Sequence, residues 1–227
     1  MRKSIILYHG SKIIIEKPIF GFDNPHNDYG LGFYCTEELS LAKEWAVSEG
    51  QDGYANEYVL NTSDLTCLDL SSSSFNVLHW ITILLKNRVF TLKNDIAKVG
   101  KEYLLACFSL PYEEYDIIKG YRADDSYFAY AEAFLNNSIS TQRLNSALRL
   151  GDLGEQIVLK SEKAFAQLKF SNSVLSQAEV YYPFRKERNQ KARLTFLSDK
   201  QGPFNPNALY LVDIIRGKIK DDDPRLR

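Results

Sequence analysis

Asp28-Tyr29-Gly30-Leu31-Gly32-Phe33-Tyr34-Cys35-Thr36 decides the fold. Its two glycines start like a dinucleotide-binding turn, but no third glycine follows and no helix opens. Phe33-Tyr34-Cys35 instead reads as a strand, and Thr36 as the N-cap of a helix from Glu37 to about Glu49, stopped by Gly50. A doubly wound nucleotide-binding fold is therefore excluded, and no phosphate-binding P-loop occurs elsewhere. Upstream, the β-branched run Ser4-Ile5-Ile6-Leu7-Tyr8 predicts a first strand that delivers His9-Gly10-Ser11 at its end. The polar Asp23-Asn24-Pro25-His26-Asn27 between them reads as a turn.

Further strands are predicted at Tyr58-Val59-Leu60, Cys67 to Leu70, Tyr115 to Gly120, Gln156 to Leu159 and Glu179 to Tyr182. Helical patterns cover Phe75 to about Phe108 in two pieces, Asp124 to Leu135, Thr141 to Leu150 capped by Ser140, and Arg185 to Leu197. Lys163 to Leu168 reads as a short helix or turn, and Ala208 to Ile214 as the last ordered stretch. Strands and helices mix without regular βαβ alternation, so the expected class is α+β with a largely antiparallel sheet. With no repeat and no linker, one domain is expected: a core over about 4–170, a C-terminal extension over 171–220 and a frayed acidic tail over 221–227.

The 227 residues carry a net charge of −1, which removes any bulk attraction to nucleic acid or anionic membranes. The basic run Arg185, Lys186, Arg188, Lys191 and Arg193, interleaved with Glu187, reads as a solvated helix face. Cys35, Cys67 and Cys107 are odd in number and widely spaced, which fits reduced thiols in a cytoplasm. No apolar run is long enough to span a bilayer. His26 and His79 lack partners at metal-ligand spacing, so no metal is expected.

Three segments carry the chemistry: Tyr8-His9-Gly10-Ser11, the Asp28–Thr36 stretch with Trp45 beyond it, and Gly154-Glu155-Gln156-Ile157-Val158-Leu159. In kind and order they resemble the ADP-ribosyltransferase superfamily, specifically the His-Tyr-Glu branch that includes the poly(ADP-ribose) polymerases. Within it the chain looks most like the bacterial DUF3990 group. That similarity rests also on Gly120-Tyr121-Arg122-Ala123-Asp124-Asp125-Ser126-Tyr127-Phe128 and Gly151 to Ser161, and spans roughly Ile5 to Phe170.

The resemblance implies an ADP-ribosyltransferase fold: a split, mostly antiparallel sheet with flanking helices around a cleft for NAD⁺, the co-substrate. It implies that His9 anchors the ribose, that Gly10 and Ser11 meet the nicotinamide amide, and that Tyr34, approached over Gly32, sandwiches the ring with Trp45. The branch places a glutamate on the third segment. Here Glu155 and Gln156 compete, and because adjacent strand residues face opposite ways only one can enter the cleft; the DUF3990 resemblance favours Gln156. Asp124 reads as the cap of the next helix; Arg122 and Asp125 either border the adenosine half or the acceptor, or serve that helix as ion partner and first-turn acid.

The implied activity is single ADP-ribose transfer to an unspecified protein, nucleic acid or small molecule, by a toxin or phage-defence effector with a small antitoxin partner. The rival class is a non-catalytic module that binds NAD⁺ or ADP-ribose, and a third is an NAD⁺ glycohydrolase.

Overall fold

The structure, a computed structural model, describes residues 3–122, 125–150, 155–201, 205 and 207–226. The expectations for Ala123, Asp124 and Gly151 to Gly154, and for the side chains of Asp125, Ser126 and Tyr127, lie outside the described residues. Seven strands form among the described residues: β1 (Ser4–Ser11), β2 (Phe33–Cys35), β3 (Gly53–Asn61), β4 (Cys67–Asp69), β5 (Ile117–Tyr121), β6 (Glu155–Leu159) and β7 (Leu168–Ser176). Eight α-helices accompany them among the described residues: α1 (Leu39–Ala46), α2 (Val77–Asn87), α3 (Asp95–Phe108), α4 (Asp125–Leu135), α5 (Thr141–Leu150), α6 (Glu162–Ala166), α7 (Ala178–Gln201) and α8 (Leu211–Arg216).

The strands make two sheets, ordered β1-β3-β7 and β2-β6-β5-β4. All pairings are antiparallel except β4 with β5. Among the described residues the sheets share one main-chain link. Tyr8 N–H donates to the Thr36 carbonyl at 2.8 Å, and Thr36 N–H to the Tyr8 carbonyl at 2.9 Å. On either side of this link β1 and β2 part company. The mixed class with a split, mostly antiparallel sheet is therefore observed.

Alternation along β5 and β6 sends side chains to two separate cores. Ile118 and Val158 join the larger one, built around α2, whose residues Val77 to Leu85 are buried throughout. Ile117, Ile157 and Leu159 join the smaller one with Leu7, Phe33, Tyr58 and Leu60. No helix among the described residues is long and apolar enough to cross a membrane.

Four local expectations are corrected. Glu179–Tyr182 is the first turn of α7 and not a strand, although Pro183 follows within the helix. At this sixth position the proline removes one intrahelical donor, the one that would meet the Glu179 carbonyl, and the helix continues through it. Residues Leu168–Ser176 form β7, an edge strand whose Ser-Asn-Ser centre hid it, because a bulge at Ser171 interrupts the alternation. The helix after β2 begins at Leu39, because Thr36 is engaged in the bridge to Tyr8; its Oγ1 accepts from Glu38 N–H at 3.1 Å. The acidic tail is docked: Asp221 accepts from Asn76 Nδ2 at 2.9 Å and lies 3.1 Å from Nε2 of the buried His79. The C-terminal region also contributes Leu211, Ile214 and Ile219 to the larger core.

Helix α1 lies directly on the first sheet, and two bare glycines permit it. A Cβ at Gly10 would overlap the Ala42 carbonyl oxygen, and one at Gly53 the Ala46 carbonyl oxygen. Backbone cannot swing away as a side chain can. Gly53→Ala should therefore destabilise the protein by about 1–3 kcal/mol, as overpacking does. Urea unfolding checks this, and an unchanged midpoint would contradict so tight a seat for α1.

Candidate functional site

The bridge between Tyr8 and Thr36 creates the site by ending where it does. Two residues before Thr36, the Tyr34 carbonyl also turns toward β1, but the strands have separated. The His9 imidazole fills the gap: its Nδ1 lies 2.7 Å from the Tyr34 oxygen. A carbonyl only accepts, so Nδ1 carries the proton and Nε2 of the neutral ring is left as an acceptor. The ring stacks on Phe33, with centroids 4.4 Å apart. Burial pushes its pKa down, partly offset by the Tyr34 carbonyl and by Asp23, so His9 is neutral at pH 7.

Tyr34 is fixed by its own loop. Its hydroxyl donates to the Gly30 carbonyl at 2.6 Å and accepts from Tyr29 N–H at 3.1 Å. Gly30 has a φ of +73°, a conformation that favours glycine. Lys160 ties the same turn by donating to the carbonyls of Tyr29 and Leu31. With its hydroxyl committed and its pKa raised, chiefly by burial, Tyr34 offers a ring face and not an acid.

These groups border a cleft of about 390 Å³ lined by His9, Gly10, Tyr34, Trp45, Arg122 and Gln156, together with Asp23, Asn27, Asp28, Arg88 and Arg185. That volume suits a small ligand or part of a larger one. Six of the nine residues singled out from the sequence thus meet in one place. Gln156 enters the cleft and Glu155 does not. Gln156 is 5% exposed, its Nε2 lies 3.4 Å from Asp28 Oδ2, and its Oε1 is buried without a partner among the described residues. Glu155 turns to the opposite face and pairs with Lys119 at 2.7 Å.

Ser11 and Gly32 stand outside the lining. The Ser11 hydroxyl donates to the Ile13 carbonyl at 2.5 Å and accepts from Asn56 Nδ2 at 2.9 Å, which fixes the chain leaving β1. Gly32 lies so close to β6 that a Cβ would meet Val158 Cγ1 at 2.6 Å. Trp45 lines the cleft from α1, and the Arg122 guanidinium sits 4.4 Å from the centre of its ring. One face of the indole is thus covered by a cation.

Sequence reasoning missed Asp23, Asn27, Asp28, Arg88 and Arg185. Asp28 opened the very stretch that decided the fold, yet received no role. Arg185 belongs to the basic run read as a solvated face; it donates instead to the Val47 carbonyl at 2.6 Å, and Arg188 clasps Glu44 of α1 at 2.9 and 3.0 Å. Arg88, at the end of α2, lies 3.3 Å from Asp28 and 4.8 Å from the Phe128 ring centre. Three guanidinium groups against two carboxylates make the cleft able to hold an anion beside a polar sugar.

A larger hollow of about 860 Å³ lies on the other face of the split sheet, lined by Lys3, Ile5, Glu37, Cys67, Lys119 and Ile157 among others. None of the singled-out residues lines it, and the buried polar atoms at Gln156 and Trp45 that lack a partner among the described residues belong to the smaller cleft. The candidate site is therefore the smaller one.

No curated protein and no solved structure matches the chain. A family model does, over residues 5–170, described as a protein of unknown function. The chain belongs to the DUF3990 family.

Proposed function

We propose that this chain is an NAD⁺-dependent mono-ADP-ribosyltransferase of the His-Tyr branch, with the split-sheet fold of that superfamily. The observation that carries the reading is the convergence of His9, Tyr34, Trp45 and Gln156 from four elements on one cleft. In the reaction the bond between ribose C1′ and the nicotinamide nitrogen breaks. Its electron pair leaves with nicotinamide, which becomes neutral. The acceptor's nucleophile then bonds to C1′ and releases its proton. The sugar passes through an oxocarbenium-like state, as in glycoside hydrolysis.

Each residue has a part that fits its geometry. His9 Nε2, an acceptor, takes a ribose hydroxyl. The Tyr34 ring offers a stacking face for nicotinamide. The Arg122 cation on Trp45 is the group that an incoming ring exchanges with at the indole. Gln156 Oε1 accepts from the second ribose hydroxyl. The arginines suit the pyrophosphate. A role as a bacterial toxin or phage-defence effector, held by a small antitoxin, belongs to this reading. So does a cytoplasmic setting, supported by three unpaired cysteines.

A second reading, a module that binds NAD⁺ or ADP-ribose without turnover, is favoured by one observation: the carboxylate of Glu155 is spent on Lys119, on the opposite face. Purified protein incubated with labelled NAD⁺, with and without cell lysate, separates the two. Label should pass to a macromolecule with wild type, and His9→Ala should lower the rate by about 10²-fold or more. Free nicotinamide without a labelled acceptor would mean hydrolysis. No turnover, with NAD⁺ raising the melting temperature of wild type but not of His9→Ala, would mean a binding module.

The pH profile follows from His9. Its pKa in the folded protein is below the ordinary 6.5, so the neutral, Nε2-accepting form persists to more acidic pH than for a free imidazole. The stability it contributes is complete above 6.5 and is lost as pH falls through the depressed folded value. The acid limb of kcat/KM should accordingly lie below pH 6.5. Activity that instead falls as pH rises through the imidazole range would mean that His9 works as a protonated acid.

A further inference from the structure

The two ends of the Gln156 amide have different neighbours, and the difference is imposed by Asp28. A carboxylate only accepts hydrogen bonds, so the amide end 3.4 Å from Asp28 Oδ2 is the nitrogen. The other end, Oε1, is buried and unpartnered among the described residues, at the cleft. Asp28 is itself 5% exposed and firmly seated. Its main-chain carbonyl accepts from Asn87 Nδ2 at 3.3 Å, and its Oδ1 lies 3.3 Å from Arg88 Nη1. Both partners come from the end of α2, a helix fixed in the larger core.

We propose that Asp28 is a positioning residue of this cleft: its carboxylate holds the Gln156 amide with Oε1 toward the ligand. It also supplies, one residue deeper, the negative charge that a glutamate at 156 would have carried. The inference rests on the transferase reading for its catalytic part. It also accounts for glutamine at this position. A glutamate there would set two carboxylates about as close as the present 3.4 Å contact, and one of the pair would have to take up a proton. Charge at 28 and amide at 156 form a split version of one carboxylate, with the ligand contact and the charge on separate side chains. A ligand hydroxyl, which donates, is the matching chemistry; a carbonyl is not.

The test is charge relocation in the full-length protein, using wild type, Asp28→Asn, Gln156→Glu and the double variant, with labelled NAD⁺ and lysate. Asp28→Asn should lose kcat by about 10²-fold with little change in KM, since the charge acts on the oxocarbenium-like state. Gln156→Glu alone should also lose activity, because its carboxylate faces Asp28. The double variant should recover to within about tenfold of wild type, since its single carboxylate now faces the ligand and the amide at 28 can donate to it. A double variant no more active than Asp28→Asn, at unchanged melting temperature, would overturn the proposal. A second measurement needs neither turnover nor NAD⁺. Side-chain amide exchange by NMR in the ligand-free wild type should show the Gln156 Nε2 protons protected, and Asp28→Asn should remove that protection. Unprotected Nε2 protons in wild type would overturn the proposal even if the variants fail to fold. If wild type transfers nothing while its Nε2 protons are protected, the transferase reading fails and the positioning by Asp28 stands.

Discussion

Two reciprocal main-chain hydrogen bonds, between Tyr8 and Thr36, hold this architecture at its narrowest point. They join two sheets that otherwise diverge, and the residues of the candidate site gather where the divergence begins. Past the bridge, β1 can no longer satisfy the Tyr34 carbonyl, and a buried carbonyl without a partner is costly. The His9 imidazole meets that need at 2.7 Å, which at once fixes its tautomer and points its accepting chemistry at the cleft. Gly10, next in line, has no side chain because α1 occupies the space a Cβ would take. That seat brings Trp45 to the rim. A single splay point thus sets the position of three candidate residues.

The far wall depends on parity. In β6 neighbouring side chains alternate, so the choice between Glu155 and Gln156 was made by which face packs. Ile157 and Leu159 are committed to the smaller core, and Glu155, of the same parity, goes with them to the Lys119 side. Gln156 and Val158 share the other face, and Val158 is committed to the larger core. A buried amide then needs partners, and the nearest is the carboxylate of Asp28, braced by Arg88. Electrostatics follows packing here.

Much of this was legible in the residues. Short, β-branched apolar runs at Ser4 to Tyr8 and Gln156 to Leu159 carry their own strand signal, and the longer apolar stretch Val77 to Leu85, interrupted by His79 and Thr82, reads as helix. The Gly-x-Gly segment leading into Phe33-Tyr34-Cys35 was enough to reject the parallel nucleotide-binding class. What escaped reading depends on distance in three dimensions. Asp28 and Arg88 mean little apart, sixty residues from one another in sequence, and only the packing of α2 against the turn before β2 brings them within 3.3 Å. Arg185 carries the composition of a solvated face, and its anchoring to α1 is a tertiary fact. β7 lacks an alternating pattern at its centre because a bulge breaks the register there: Phe170 pairs with Tyr58 and Asn172 with Glu57, leaving Ser171 as the extra residue. The docked tail was hidden for a similar reason: three aspartates read as solvated until His79 and Asn76 are found beneath the first.

The account turns on His9 presenting a bare Nε2 to a bound ribose. The most direct measurement is nitrogen NMR of the imidazole in protein labelled at histidine, titrated with NAD⁺. In the free protein the two ring nitrogens should be distinct, with Nδ1 protonated and Nε2 not. NAD⁺ should move the Nε2 resonance in the direction of an accepted hydrogen bond and leave Nδ1 in place on the Tyr34 carbonyl. An Nε2 signal that stays fixed while NAD⁺ saturates the protein, or a proton found on Nε2 in the free state, would contradict it.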